Sequence, residues 1–309
     1  MAITASLVLL MAVNAVQAQS DGWHHEPTLF GWAAGEPSAE TPERFGPGGK
    51  FKDETIITDR PDFTEASTTV GRGVVQLETG YTFDYDESGG TRTYLHSAPE
   101  VLTRVGIVAD WLELRVGVNH AWERSNDGSD DLSGFDDLYL GAKLALTPQS
   151  DLLPEMAIVP QMTVPLGSPV TADQVLPGVN WLYGWDVTDD VSIAGSSQVN
   201  AAVGEAELFV TDGVTGIGRS IPAGDRTFAV FAQSATVGYG LTETVGAYTE
   251  WFALFPVATG GVPAEDEHYF NGGFTWQATP DLQFDLRSGV GLNEAAGDFF
   301  SGAGMATRF

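Results

Sequence analysis

The feature that most constrains the fold is an alternation of apolar and polar side chains with a period of two. Between residues 75 and 85, nearly every second side chain is apolar or aromatic, and those between them are small or polar. The same alternation occurs at residues 112–119 and 282–287. Successive side chains of an extended strand point to opposite sides, so each such segment predicts a strand with one apolar and one polar face.

The number and length of these segments distinguish a membrane protein from a soluble one. Strands of soluble proteins usually have about five or six residues, whereas about 9 to 11 residues cross a bilayer. A sheet in lipid must also close on itself to satisfy its backbone groups. About twelve segments of bilayer-spanning length are present, at 73–85, 91–105, 111–123, 135–146, 156–166, 177–187, 191–202, 226–240, 244–255, 268–278, 282–293 and 299–309.

The connections between the segments are of two kinds. Short ones repeat Thr, Pro and Asp, which are turn formers, whereas longer ones are acidic and rich in glycine. The longer ones are 85–90, 124–134, 167–176, 203–225, 256–267 and 293–298. Short turns at one rim and long loops at the other are typical of outer-membrane barrels. We therefore predict an all-β fold, a transmembrane antiparallel up-and-down β-barrel of about 12 strands with short periplasmic turns and long acidic outer loops.

The charge and the missing cysteine exclude several functions. The chain of 309 residues has 42 acidic and 14 basic side chains, a net charge of -28, and only three lysines. A nucleic-acid binder needs a basic surface for the phosphates, so this class is excluded. The absence of Cys excludes zinc ribbons, disulfide scaffolds and thiol catalysis.

The two ends of the chain resemble export signals. Residues 1–20 carry no charge and end their apolar stretch at Val16-Gln17-Ala18, which predicts a signal peptide over residues 1–18; the alternative is a buried hydrophobic helix. We predict that residues 19–72 form a flexible lead and that residues 73–309 form the barrel. The terminal Phe309 resembles the ending of bacterial outer-membrane barrels, which implies the barrel-assembly machinery as a partner.

Three stretches resemble one bacterial family. They are Ile57–Glu65, Val70–Phe83 and Phe135–Lys143, and they are similar to the outer-membrane family labelled "putative MetA-pathway of phenol degradation". The resemblance extends in layout from Ile57 to Phe309. It implies an integral protein of the bacterial outer membrane, with lipid and small-molecule solutes as partners, that passes small molecules, aromatic or hydrophobic ones among them.

Charged residues on the polar faces of the strands are the first candidates for function. A charge that faces lipid near the midplane costs about 2 to 4 kcal/mol, so these side chains are predicted to point inward. There they would set the selectivity of a pore; the alternative is that they pair with one another across a packed interior. These residues are Glu78, Glu113, Arg115, Lys143, Asp285 and Arg287.

A second candidate stands just before the first strand. Asp59, Arg60 and Asp62 place one cation between two carboxylates, with a proline after the arginine. This group is predicted at the periplasmic mouth or inside the lumen, where it would partly plug the pore. The alternative is a local clamp that ties the lead to the rim of the barrel.

No enzymatic site and no cofactor are predicted. The sequence lacks a Gly-x-Ser-x-Gly motif, which positions the nucleophile of many hydrolases. Asp127, Asp130 and Asp131 are candidates for calcium ligands, and a solvated acidic loop is the alternative. The predicted function is diffusion of small molecules through the outer membrane; the alternative is a non-conducting structural or surface-interaction barrel with acidic, cation-binding loops.

Overall fold

The computed structural model describes residues 28–33, 55–126, 132–211 and 218–309. No helix in these ranges has the length and apolar character needed to cross a membrane. The predicted signal peptide and the three aspartates at 127, 130 and 131 lie outside the described residues. The elements are α1 (Leu29–Ala33), β1 (Val75–Ser88), β2 (Thr91–Gly106), β3 (Leu112–Ser125), β4 (Leu132–Phe135), β5 (Leu138–Thr147), β6 (Glu155–Val164), β7 (Leu176–Thr188), β8 (Val191–Thr211), β9 (Gly218–Gly240), β10 (Val245–Val257), β11 (Glu267–Thr279), β12 (Leu282–Gly291) and β13 (Phe299–Arg308).

The strands form one closed antiparallel barrel, which confirms the predicted fold class. Strands that are neighbours in the sequence pair with each other, except β4 and β5, and β1 pairs with β13 from Gln76–Arg308 to Tyr85–Phe299. Both β4 and β5 pair with β3, so together they occupy one strand position, which is interrupted at Asp136 and Asp137. The barrel therefore has twelve strand positions around its interior.

Two predicted long connections are wrong, because strand continues through them. Strands β1 and β2 are joined only by Gly89 and Gly90, whose φ angles are +60° and +87°. Most of the region 203–225 belongs to β8 and β9. Strands that extend beyond the membrane are wet on both faces, so an acidic composition does not distinguish their ends from loops.

The barrel buries charge and exposes apolar side chains. In β3, Glu113 and Arg115 are at most 1% exposed, whereas Leu114 and Val116 are 41% and 45% exposed. A soluble protein buries its large apolar side chains and keeps charge at the surface. This inverted arrangement gives the outside the apolar surface that a lipid environment requires.

Residues 55–72, here called the inner segment, lie inside the barrel. The segment begins at the rim that carries the short turns, where the Ile56 amide donates to the Pro280 carbonyl over 2.7 Å. It returns to the same rim at Gly73, whose amide donates to the Gly106 carbonyl over 2.8 Å. Side chains of the barrel wall supply many hydrogen-bond partners for its backbone between these two points.

Candidate functional site

Asp59 lies at the centre of a buried cluster of charges. One carboxylate oxygen, Oδ2, contacts Arg115 Nη1 and lies 3.3 Å from Arg104 Nε, and the other, Oδ1, lies 2.8 Å from Lys143 Nζ. The three cations come from the neighbouring strands β2, β3 and β5. One carboxylate of the inner segment thus forms ion pairs with three strands of the barrel.

The register of the strands explains why an anion is needed at this point. Arg104 and Arg115 stand directly opposite each other on β2 and β3, and like charges in that position are destabilising. Asp59 inserts between them and contacts both guanidinium groups. On the other side of β3, Glu113 stands opposite Lys143, which is a favourable pair.

Two wall carboxylates complete the cluster. Arg104 donates to both oxygens of Glu113, over 2.8 and 3.0 Å, and its Nη1 donates to Glu78 Oε1 over 3.1 Å. Glu78 also accepts the backbone amides of Asp59 and Arg60, each over 3.1 Å. Such multiple charge-assisted hydrogen bonds are the strong ones in proteins, so the start of the inner segment is firmly attached to the wall.

The ionisation of Asp59 follows from this environment. Burial by itself raises the pKa of the carboxyl. The charges of Arg104, Arg115 and Lys143 together lower the pKa by more than burial raises it, so the resulting pKa is well below the ordinary value for Asp. Asp59 belongs to the inner segment and not to a strand that crosses the membrane. Its negative charge is therefore present throughout the physiological pH range.

Arg60 occupies a second position, on the adjacent part of the wall formed by β2, β1, β13 and β12. Its Nη1 donates to Glu100 Oε2 over 2.7 Å, and its Nε lies 3.4 Å from Asp285 Oδ2. The guanidinium lies over Gly80 and Gly304, which pair with each other across β1 and β13. A Cβ atom on either glycine would overlap the guanidinium, so these two glycines form the seat for Arg60.

Substitution Gly304→Ala is expected to loosen this seat. The added Cβ displaces the guanidinium of Arg60, a flexible group, and lengthens its contact with Asp285. We expect a loss of about 1 kcal/mol, which lowers the melting temperature by roughly 2 to 4 °C. Thermal unfolding in detergent measures the effect, and Gly297→Ala, where no side chain lies close, is the control. Equal melting temperatures for the two variants would contradict the role of Gly304.

Glu250 of β10 holds the middle of the inner segment. Its carboxylate accepts the amides of Phe63 (2.8 Å) and Thr64 (2.7 Å), the Thr64 hydroxyl (2.7 Å) and Asn271 Nδ2 (2.8 Å). The side chain is buried, and the ion pairs among the described residues do not include it. Neutral donors alone therefore satisfy this carboxylate.

Asp62 differs from Asp59 although the two were predicted as one motif. Burial raises the pKa of Asp62 well above its usual value, and the nearby Glu250 raises it further. Arg287, whose charge opposes this increase, donates instead to the Pro61 carbonyl over 3.0 Å and to Thr82 Oγ1 over 2.7 Å. The two aspartates therefore have opposite electrostatic surroundings.

The structure places all of the described candidate residues in the interior. Glu78, Glu113, Arg115 and Lys143 meet at Asp59. Asp285 pairs with Arg60 in a separate group, and Arg287 contacts the backbone of the inner segment. Sequence reasoning missed three members of these groups, Glu100, Arg104 and Glu250. The signal that points them inward is their charge itself, since a charge that faces lipid is costly.

Cavities lie between the inner segment and the rim that carries the long loops. A cavity of about 1070 Å³ has Glu65, Arg115 and Tyr139 among its lining residues and reaches Asp137 and Asp225 at that rim. A smaller cavity of about 260 Å³ lies among aromatic side chains near Phe63. Within the described ranges, no group of three or more His, Asp or Glu side chains is arranged to hold a metal ion.

Comparisons with known proteins give one family and one fold. The family described as "Putative MetA-pathway of phenol degradation" matches residues 58–309. The chain is similar in structure to an outer membrane channel from Pseudomonas putida F1, with a TM-score of 0.61, 12% identity, and coverage of 81% of this chain and 99% of the channel. The translocator domain of the autotransporter NalP from Neisseria meningitidis is less similar, with a TM-score of 0.48, 11% identity, and coverage of 76% and 88%. A search of curated proteins found no match.

Proposed function

Since the chain belongs to the family described as "Putative MetA-pathway of phenol degradation", we propose that it is an integral outer-membrane pore for small molecules, aromatic or hydrophobic ones among them. The observation that carries this proposal is the inverted barrel, in which exposed side chains such as Leu114 are apolar and enclosed ones such as Arg115 are charged. A polar interior inside an apolar shell is the arrangement of outer-membrane channels. The proposal includes no enzymatic activity.

The proposal also assigns roles along the chain. Residues 1–18 act as the signal peptide, and residues 19–72 lead into the barrel from the periplasmic side, where the short turns lie. The inner segment acts as a plug, because its contacts with Glu78, Glu250 and Asp285 cross the lumen. Solutes enter the cavity above Glu65 and Arg115 and pass when the inner segment shifts. The charged wall residues around that path set its selectivity.

Glu250→Ala is the variant that tests both the pore and the plug. Hydrogen bonds to charged groups contribute about 1.5 to 3 kcal/mol each, and this change leaves the amides of Phe63 and Thr64 without their acceptor. We expect discrete conductance steps for the purified full chain in planar bilayers and a conductance at least severalfold larger for the variant.

The control for this measurement is Thr249→Ala, which changes the neighbouring side chain on the lipid face of β10. Its conductance should equal that of the unchanged chain. If the unchanged chain and Glu250→Ala both remain silent in bilayers, the pore proposal fails.

One observation favours the alternative function, a structural or surface-interaction barrel that does not conduct. The inner segment fills the lumen around Asp59, while Asp137, Asp173 and Asp225 line the cavity at the long-loop rim. Calcium titration followed by protease digestion of the loops tests this candidate. It requires protection by calcium together with a silent Glu250→Ala channel, whereas a simple pore requires conduction.

A further inference from the structure

A small chamber with aromatic walls lies in the lumen beside the middle of the inner segment. The ring of Phe63 stacks on Phe252 at 4.5 Å and 5°, and Phe252 stacks on Tyr269 at 4.7 Å and 15°. Phe300 contacts the last two rings at 6.3 and 6.2 Å. These four rings line a cavity of about 260 Å³, and none of them takes part in the charged cluster around Asp59.

The volume and the walls of the chamber suit one aromatic ring. An apolar cavity of about 150 Å³ in another protein binds benzene, so the chamber has room for a ring and a small substituent. Aromatic rings attract one another by offset stacking and by edge-to-face contact. Both arrangements are present among Phe63, Phe252, Tyr269 and Phe300, and all four residues line the same cavity.

The charges near the chamber indicate that the ring is uncharged. A second cavity, of about 180 Å³, shares Asp84, Tyr269 and Phe300 with the chamber and leads toward the long-loop rim. The described residues that line this cavity include Asp84, Asp86 and Glu123 and no base. A carboxylate ligand would meet a repulsive field along this route.

Among the described residues that line the chamber, one is a cation, and it does not reverse this conclusion. Arg287 already donates to the Pro61 carbonyl and to Thr82 Oγ1. Its guanidinium lies 5.7 Å from the centre of the Phe300 ring, in a cation–π contact. Because Asp84 lines the same chamber, the arginine also faces a carboxylate there.

We infer that this chamber is a binding site for a single uncharged aromatic ring, held among Phe63, Phe252, Tyr269 and Phe300. The inference rests on the proposed function, since a solute reaches the chamber only through the lumen. The inner segment contributes one wall through Phe63, so the site is complete only while that segment occupies the barrel.

The probe for this site is 4-bromophenol, which is uncharged at pH 7. Crystals of the full chain soaked with it should show anomalous bromine density inside the chamber. In detergent solution, the dissociation constant should rise roughly fivefold for Phe252→Leu and for Phe300→Leu, since one aromatic pair contributes about 0.5 to 1.5 kcal/mol beyond its buried area. The control Phe255→Leu changes the same strand on its opposite face, where Phe255 stacks on Phe231, and should leave the constant unchanged.

Two further ligands test the chemistry of the site. 4-Bromobenzoate should bind at least tenfold more weakly because its carboxylate would lie in the same chamber as Asp84, and 4-bromocyclohexanol should bind more weakly because it has no flat ring. Bromine density outside the chamber, binding at crystal concentration only, equal affinity for the benzoate, or equal effects of Phe252→Leu and Phe255→Leu would each overturn the inference. If the channel conducts, any of these results removes only the site and leaves the pore. The pore itself is removed only if the unchanged chain and Glu250→Ala are both silent.

Discussion

Replacement of Asp59 by Asn is expected to raise the open probability of the channel roughly a hundredfold or more. The substitution leaves Arg104, Arg115 and Lys143 buried without their shared anion. Removal of one partner from a buried ion pair costs about 3 to 5 kcal/mol, and each 1.4 kcal/mol is about a tenfold change in an equilibrium. The inner segment should therefore leave the lumen far more often, which single-channel recording in planar bilayers measures.

The matched control is Asp62→Asn, the same substitution three residues away. The pKa of Asp62 is raised by burial and by Glu250, so loss of the charge should leave the open probability unchanged or lower it. Equal increases for both variants would contradict the assignment of Asp59 as the anchor. Acidification provides a second comparison: the pKa of Asp59 is lowered, so its stabilisation is complete above about 3.8, the ordinary value for Asp, and declines only below it. A change from pH 7 to pH 5 should leave this contact intact.

Leu286→Lys is expected to destabilise the folded barrel by about 2 to 4 kcal/mol, the cost of a lysine that faces lipid at the bilayer midplane. Leu286 lies at the middle of β12, and its side chain is 60% exposed on the outer face. Folding into lipid vesicles at increasing urea concentrations measures the free energy of unfolding. The expected shift is large because a charge at this depth cannot reach water without distortion of the bilayer.

The control for this experiment is Val290→Lys, four residues along the same face and closer to the rim. A charge near the interface costs only about 0 to 1 kcal/mol. The difference between the two variants therefore reports depth in the membrane and not merely the loss of an apolar side chain. Equal costs at the two positions would contradict the proposed membrane position of the barrel.

Local patterns predicted which side chains of β3 and β12 point inward. Glu113 and Arg115 alternate with Leu114 and Val116, and the structure separates the two pairs as a period of two requires. Glu250 was missed because the inward face of β10 also carries apolar residues such as Phe252. Both faces of that strand are therefore apolar in sequence, and no alternation distinguishes the lumen from the lipid.

Arg104 was missed for a related reason, since the residue two places before it on the same face is Leu102. The sequence left the position of the inner segment open between the periplasmic mouth and the lumen. Its composition resembles a flexible lead, but Asp59, Arg60 and Thr64 find their partners on strands that follow much later in the chain. Composition describes how a segment behaves alone and carries no information about a charged cavity that receives it.

The sequence by itself determined the strands, the two faces of those strands that alternate clearly, such as β3 and β12, and the closed antiparallel barrel. These follow from side-chain alternation over a few residues and from the need of every backbone group for a partner in lipid. Only the tertiary structure decided where the charges meet. Asp59 and Arg115 are separated by 56 positions, and Arg60 and Asp285 by 225. Such pairs form only after the barrel closes and brings strands that are distant in the sequence around one lumen. An ion pair depends on distance in space and not on spacing along the chain.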